Sequence, residues 1–319
     1  MSKFRRIDLS KARTIKFEAR GTKTDIERFG RPFSPDLSFS RFLLSLPGYL
    51  KAGDLLSLAR DIGTARSGNS AILWMMGAHP LKVGLSPVIN DLIQNGYVSH
   101  LAVSGAFAIH DLEIAFFGRT SEEVGTGLSD GSFGMVEETP KLIFEAASQA
   151  GARDLGLGEG LGMYVSEKSP KFAAHSVLDT CYMNDVPASV HVAIGTDTIS
   201  QHAGFDGGLF GKLSADDFQV FCESVTHLSG GAVINFGSAV ILPEVFLKAL
   251  TVARNIAGPV KDFSAANFDM IQHYRPNTNV VSRPVAAGGR GYSFTGHHEL
   301  MLPLLAAAVK SLEIKSTER

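Results

Sequence analysis

Cysteine is nearly absent: Cys181 and Cys222 are the only two in 319 residues. That excludes a disulfide-stapled scaffold and suits a reducing compartment, so a cytoplasmic location is expected. A dominant charge of one sign is also lacking. The chain has 30 Lys and Arg against 32 Asp and Glu, a formal net charge of -2, which argues against a general nucleic-acid binder. Every apolar run is broken by charge or glycine well short of a membrane span. The basic N-terminus has no apolar segment beside it, so no signal peptide is expected. Neither an HExxH helix nor a Walker A loop occurs. Membrane and nucleic acid are therefore not expected partners.

Glycine is abundant instead, with 33 residues and no low-complexity tract, which favours many tight turns. The chain is organised around the stretch from Leu73 to Val124. An apolar run, Ala71 to Met76, ends at Gly77-Ala78-His79. A helical pattern follows, with Val88, Ile89, Leu92 and Ile93 on one face and Gly96 as its stop. A second apolar run, Val98 to Val103, ends at Ser104-Gly105-Ala106. A further helical pattern carries Ile109, Leu112, Glu113 and Phe116. Strand, helix, strand, helix predicts an α/β, Rossmann-like fold with a mostly parallel sheet and helices on both faces. Ligands of such sheets sit at the carboxyl ends of the strands, where both glycine-containing turns fall. Close helix-sheet packing asks for small residues at the same turns.

Residues 1–35 read as a basic extension with ten Lys and Arg. They are expected to form a surface arm, in solvent or on a neighbouring subunit; a part in an anionic ligand site is the alternative. Residues 36–319 read as a single α/β domain. Helical patterns occupy Phe39 to Leu46 and Leu50 to Ile62, separated by Pro47-Gly48. Thr139-Pro140 opens another helix. Leu155 to Gly162 has glycine at every second position, without the G-x-G-x-x-G spacing or a strand before it. It reads as a flexible turn or subunit contact, with a ligand contact as the alternative. Val186 to Ile194 is a strand candidate ending at Gly195-Thr196-Asp197, and a loop continues to Gly208. Phe218 to Leu228 reads as an amphipathic helix. Gly230 to Phe236 is a strand running into Gly237-Ser238-Ala239 before a helix, a candidate phosphate cradle. Ala266 to Met270 and Asn279 to Pro284 are short and mixed. A final helix covers Leu300 to Leu312.

Carboxylates after buried strands need donors, from a ligand or from a helix they cap; Asp197 and Asp206 are of this kind. His79 and His110 follow neighbouring strands, while His297, His298 and Glu299 are adjacent rather than at helix spacing. No metal site is expected from this arrangement.

The central stretch, the segment Asp206 to Gly211 and the closing His298-Glu299-Leu300-Met301-Leu302-Pro303-Leu304-Leu305 resemble the deoxyhypusine synthase family. The resemblance runs from about Gly63 to about Lys310. It implies a Rossmann-like NAD-binding fold, assembly as homotetramers built from tight dimers, and active sites at the dimer interface. Enzymes of that family oxidise spermidine with NAD and move its aminobutyl group to a lysine of an initiation-factor precursor. Some relatives make homospermidine.

Carried over by position, the family's Thr-Ser-Asn turn falls on Gly77-Ala78-His79, and its Thr-Ala-Gly-Gly strand end on Ser104-Gly105-Ala106-Phe107. Its acidic pair falls on His110-Asp111, with Glu113 close by. Its Thr-Asp-Gly-Ser-Leu-Gly segment falls on Phe205 to Phe210, or its role passes to Thr196-Asp197. Its glycine-rich strand end falls on Asn235 to Ala239, and its last turn on Gly296-His297-His298. The resemblance thus implies NAD contacts from Gly77, Ala78, Ser104, Gly105, Asp111, Gly237, Ser238 and Ala239. Glu113, Asp197, Glu244 and His298 are the candidates for an amine substrate, whose ammonium groups need carboxylates. His79, His110, Lys82 and Asp206 are the catalytic candidates. The family's imine-forming lysine falls on Met270, and no lysine occurs between Lys261 and Lys310. A thioether cannot form an imine. The expectation is an NAD-dependent enzyme on a polyamine or other small amine, a homodimer or homotetramer, that does not make deoxyhypusine. The alternatives are an inactive dinucleotide-binding homologue and a hydrolase using His79 or His110 with a carboxylate.

Overall fold

The computed structural model describes residues 3–313. The chain divides into two units, Met1–Gly53 and Asp54–Arg319. The first holds short 3-10 turns and the helix α1 (Phe39–Ser45), which Ser38 caps at its N-terminus. Pro47 and Gly48 separate it from α2 (Leu50–Ser67), because proline cannot continue a helix.

The second unit alternates strands and helices. In order these are β1 (Ile72–Met76), α3 (His79–Lys82), α4 (Ser86–Gln94), β2 (His100–Ser104) and α5 (Gly105–Phe117). Then come α6 (Val124–Asp130), α7 (Glu138–Ala152), α8 (Leu157–Lys168), α9 (Val177–Met183) and β3 (Ala188–His191). The remainder is α10 (Gly207–Thr226), β4 (Ala232–Phe236), α11 (Ile241–Ala257), β5 (Phe263–Asp269), α12 (Tyr274–Pro276), β6 (Gly289–Thr295) and α13 (His298–Glu313). A π-helical turn, Asn277–Ser282, follows α12.

All six strands are parallel, in the order β3-β2-β1-β4-β5-β6. This is the doubly wound Rossmann order, and the chain reverses direction across the sheet between β1 and β4. The first five strands are buried at every position, as a parallel sheet covered on both faces requires. On one face Leu73, Met75 and Val233 pack with Phe221, Phe246 and Leu250 of α10 and α11. An aromatic ladder runs across four strands, Trp74 on Phe236, Phe236 on Phe268 and Phe268 on Phe294, with ring centroids 5.5, 4.5 and 4.5 Å apart. Such cross-strand stacks stabilise a sheet by a few tenths to about 1 kcal/mol per pair.

The free edge of β3 is covered rather than left to pair with another chain. Asp217 of α10 accepts from the backbone N–H of Val190 (2.6 Å) and of Gly158 (2.9 Å). Ser214 of α10 donates to the Val190 carbonyl (3.0 Å).

Four segments differ from the sequence reading. The glycine-alternating run is no flexible turn: it is the buried first half of α8. A Cβ on Gly158 would lie 2.1 Å from the Ala188 carbonyl, on Gly160 2.3 Å from Ala150 Cβ, and on Gly162 2.5 Å from the Leu178 carbonyl. Its glycines let one helix press on β3, α7 and α9 at once. Of residues 266–270, read as short and mixed, 266–269 belong to the full strand β5, whose polar Asn267 and Asp269 hide its strand character, and Met270 follows it. The glycine-rich Gly289 to Thr295, where the sequence pattern marks no element, is β6. The segment read as a loop up to Gly208 ends two residues earlier, at Asp206, which caps α10 by accepting from Gly208 N (2.9 Å) and Leu209 N (3.0 Å), so the helix read from Phe218 already begins at Gly207.

Candidate functional site

The β1 and β4 chains leave the sheet in contact. A Cβ on Gly77 would stand 2.5 Å from the Gly237 carbonyl oxygen, so these two positions accept only glycine without displacement. Gly237 has a φ of +65°, a left-handed conformation natural to glycine. The ring of His298, at the start of α13, closes over it. His79 of α3 meets His298 edge to face at 5.2 Å. His79, Gly77, Gly237 and His298 thus converge at the topological switch point, where ligands of this sheet type bind.

His298 is buried. Its Nε2 donates to the Phe268 carbonyl (3.3 Å), since a carbonyl can only accept. Nδ1 is then a lone-pair acceptor, and it is buried without a partner among the described residues. Burial and the neighbouring His79 lower the His298 pKa, though Asp269 pulls the other way. A neutral imidazole with one orphaned acceptor is the result. Asn235 Oδ1 is orphaned too, while Asn235 Nδ2 donates to Asn267 Oδ1 (2.8 Å) and to the Ser238 carbonyl (3.0 Å).

Beside the switch point a cleft of about 500 Å³ runs along α5. Lys82, His110, Glu113, Arg119 and Asp197 all line it. Glu113 uses both carboxylate oxygens: Thr139 Oγ1 donates to one at 2.9 Å and Thr120 Oγ1 to the other. Burial raises the Glu113 pKa, but the neighbouring His110 and the hydroxyl donors Thr120 and Thr139 outweigh it and hold the carboxyl below its usual range. His110 Nδ1 lies 2.6 Å from Thr120 Oγ1 and 3.6 Å from Glu113 Oε2. Asp197 sits over Gly105, where a Cβ would fall 2.1 Å from Asp197 Oδ2. Burial pushes its carboxyl up to about 6, against the backbone N–H groups of Ala193 and Ala106.

Several sequence candidates take other places. Asp111 does not face the cleft. It is fully buried and caps α9, accepting from Ser176 Oγ (2.6 Å), Val177 N (2.7 Å) and Leu178 N (3.2 Å). Asp206 caps α10 and lies outside the cleft lining. Glu244 is tied up on α11 with Lys248, Arg275 and Asn279. Ser104 caps α5 by accepting from Phe107 N (3.4 Å). Ser238 accepts from Leu242 N (3.1 Å), so its hydroxyl already serves the α11 N-terminus expected to cradle phosphate. Ala78 is the N-cap of α3, and Ala239 follows Ser238 toward α11.

Sequence reading missed Thr120 as a site residue, since a threonine three residues past a helix carries no signal of its own. It also missed a buried polar chain at β2 and β3. His100 Nδ1 meets Ser224 Oγ (2.8 Å), His100 Nε2 meets Ser189 Oγ (2.9 Å), and Ser189 Oγ meets His191 Nε2 (2.9 Å). The letters Gly-x-Ser-x-Gly at Gly127 to Gly131 lie on α6, where Ser129 Oγ donates to the Thr126 carbonyl (2.7 Å); no strand precedes them, as a nucleophile elbow needs. Among the described residues no three His, Cys, Asp or Glu side chains are grouped to hold a metal, and no helix is long and apolar enough to cross a membrane.

Residues 56–137 match the family model described as arginine dihydrolase ArgZ-like, C-terminal, Rossmann fold. The match covers β1 to α6, the stretch around which the sequence is organised. Among solved structures, AgrE in ternary complex with ornithine and NAD+ is 14% identical and aligns over 81% of this chain and 33% of its own, with a TM-score of 0.53. A conserved putative LOR/SDH protein from Methanococcus maripaludis S2 is 15% identical over 83% of this chain and 71% of its own, with a TM-score of 0.51. A putative deoxyhypusine synthase from Entamoeba histolytica is 11% identical over 89% and 97%, with a TM-score of 0.49. The chain spans about a third of the length of the ArgZ and AgrE structures, 31% and 33%. At these identities the likeness is one of fold. A comparison with curated protein sequences finds no match.

Proposed function

We propose that this chain binds NAD across the β1/β4 switch point and acts, as an NAD-dependent enzyme, on a small amine held in the neighbouring cleft. The observation that carries the reading is the orphaned His298 Nδ1, buried where the β3-β2-β1-β4-β5-β6 order places a dinucleotide. A buried acceptor without a partner costs about 1–3 kcal/mol, and a ligand hydroxyl or amide donor would recover it. His79, Ala78 and the backbone at Gly77 and Gly237 would hold the dinucleotide against this acceptor. Bound NAD would supply the two-electron oxidation. The remaining chemistry belongs to side chains of this chain. Glu113 and Asp197 would take the substrate's ammonium groups, and Lys82 and Arg119 any anionic group. His110 would exchange a proton with the bound amine.

The neighbours favour the same class of chemistry, since AgrE was captured with ornithine and NAD+. Deoxyhypusine synthesis is disfavoured: Met270 follows β5 where the resemblance requires the imine-forming lysine. A homodimer or homotetramer in the cytoplasm completes the reading, to be checked by light scattering at micromolar concentration. Calorimetric titration with NAD+ tests the core of it. Heat of binding and a thermal shift are expected. Neither signal at millimolar NAD+ would remove the reading, and an NAD-independent turnover would favour the hydrolase alternative.

A further inference from the structure

We propose that Thr120 is a positioning residue that fixes the proton of His110 on Nδ1, so that Nε2 faces the cleft as a proton acceptor. This rests on the functional reading above only for its use, not for its geometry. The argument is one of hydrogen-bond direction. Glu113 accepts from the hydroxyls of Thr120 and Thr139, which with the neighbouring His110 hold it ionised, so it can only accept. Thr120 has one hydroxyl proton, and it goes to Glu113 Oε2. Toward His110, 2.6 Å away, Thr120 can therefore only accept. Nδ1 must carry the proton, and a neutral ring then has its lone pair on Nε2.

The fold supplies each partner. His110 and Glu113 are three residues apart on α5, so they share a face. Gly118 ends α5 with a φ of +68°, which turns the chain back and returns Thr120 to that face. Thr139, at the start of α7, occupies the second oxygen of Glu113 at 2.9 Å and stops the carboxylate from rotating. His110 lines the cleft, and its Nε2 has no hydrogen-bond partner among the described residues and is not a fully buried atom. The one free ring nitrogen is thus the one open to a ligand. An alkylammonium bound there would pass a proton from nitrogen to Nε2. The products are the neutral amine and an imidazolium, whose charge Glu113 offsets at 3.6 Å. Only a neutral amine is open to oxidation at its carbon.

The test is long-range 1H–15N NMR of the protein labelled in its histidine rings, with the His110 signals identified by their loss in His110→Asn. Wild type is expected to show a single Nδ1–H tautomer for His110 at pH 8. Thr120→Val is expected to mix the tautomers, and Thr120→Ser to restore the wild-type pattern. Glu113→Gln, which frees the Thr120 proton to turn toward His110, is expected to raise the Nε2–H share. A wild-type Nε2–H tautomer would overturn the proposal, as would Thr120→Val spectra unchanged from wild type. This readout needs neither NAD nor turnover, so its failure is separate from failure of the functional reading. Where amine turnover is measurable, Thr120→Val should lower kcat about tenfold or more with KM little changed, and displace the acid limb of the pH profile.

Discussion

A Cβ placed on Gly237 would fall 2.4 Å from Cε1 of His298. The ring that carries the orphaned acceptor therefore rests on a position that no side chain can share. Gly237→Ala should destabilise the protein by about 2–3 kcal/mol, from overpacking plus the positive φ, read by denaturant unfolding. His298→Phe keeps the ring that packs on Phe236 at 5.7 Å and removes Nδ1. It should leave the unfolding midpoint within a few degrees of wild type and weaken NAD+ at least about tenfold. Equal NAD+ affinity in that variant would remove His298 from the site.

Asp111 distinguishes a cap from a ligand. Asp111→Ala strands Ser176 Oγ and the backbone N–H groups of Val177 and Leu178, which the carboxyl now receives. We expect a loss of about 3 kcal/mol in unfolding free energy. In the folded fraction, NAD+ affinity should match wild type. A selective loss of affinity without a loss of stability would return Asp111 to the cofactor contacts.

The buried histidine chain gives one pH dependence. Burial lowers the His100 pKa to about 3, with His191 adding to it, and burial lowers the His191 pKa to about 4. Below the unfolded value of 6.5 the unfolded chain binds protons that the folded one refuses. Their contribution is full above pH 6.5 and falls as pH drops, by up to about 1.4 kcal/mol per pH unit for each ring. His191→Phe should remove one of these slopes. The difference in unfolding free energy between variant and wild type, followed from pH 7.5 to pH 5, should move in the variant's favour as pH falls.

Asp217 should act in the opposite sense. Burial pushes its carboxyl up to about 7, against hydrogen bonds from Val190 and Gly158. The folded state then holds a proton that the unfolded state loses near 3.8. That contribution is full below pH 3.8 and lost as pH rises toward 7. Asp217→Asn should show a flatter stability profile than wild type between pH 4.5 and pH 7. A parallel pair of profiles would place the Asp217 pKa in the ordinary range.

Incubation with NAD+ and labelled spermidine, then borohydride reduction and peptide mass analysis, checks the reaction class. No spermidine-derived adduct is expected on any lysine, because Met270 stands where the resemblance puts the imine. An adduct on Lys82, which lines the cleft, would make that lysine the covalent residue. Transfer of the label to an initiation-factor acceptor would restore deoxyhypusine synthesis.

The sequence by itself determined the α/β class, the runs at β1, β2 and β4, and the strand ends at Gly77, Ser104 and Gly237. Buried parallel strands must be nearly continuous apolar runs, and their exits need small residues, so both features are written locally. It also placed Lys82, His110, Glu113 and Asp197 among the candidates that the cleft brings together. Tertiary structure alone decided the rest. The α8 glycines read as a turn because their need for closeness lies in Ala188, Ala150 and Leu178, each distant or unmarked in sequence. β5 was hidden because Asn267 and Asp269 find amide and strand-end partners that local polarity does not reveal, and β6 because its glycines and exposed first half leave no apolar run. Asp111 looked like a ligand because its three donors lie 65 to 67 residues away. His298 moved to the centre of the proposed site only when α13 laid its ring over Gly237, since the partner that a buried nitrogen has or lacks is a property of packing.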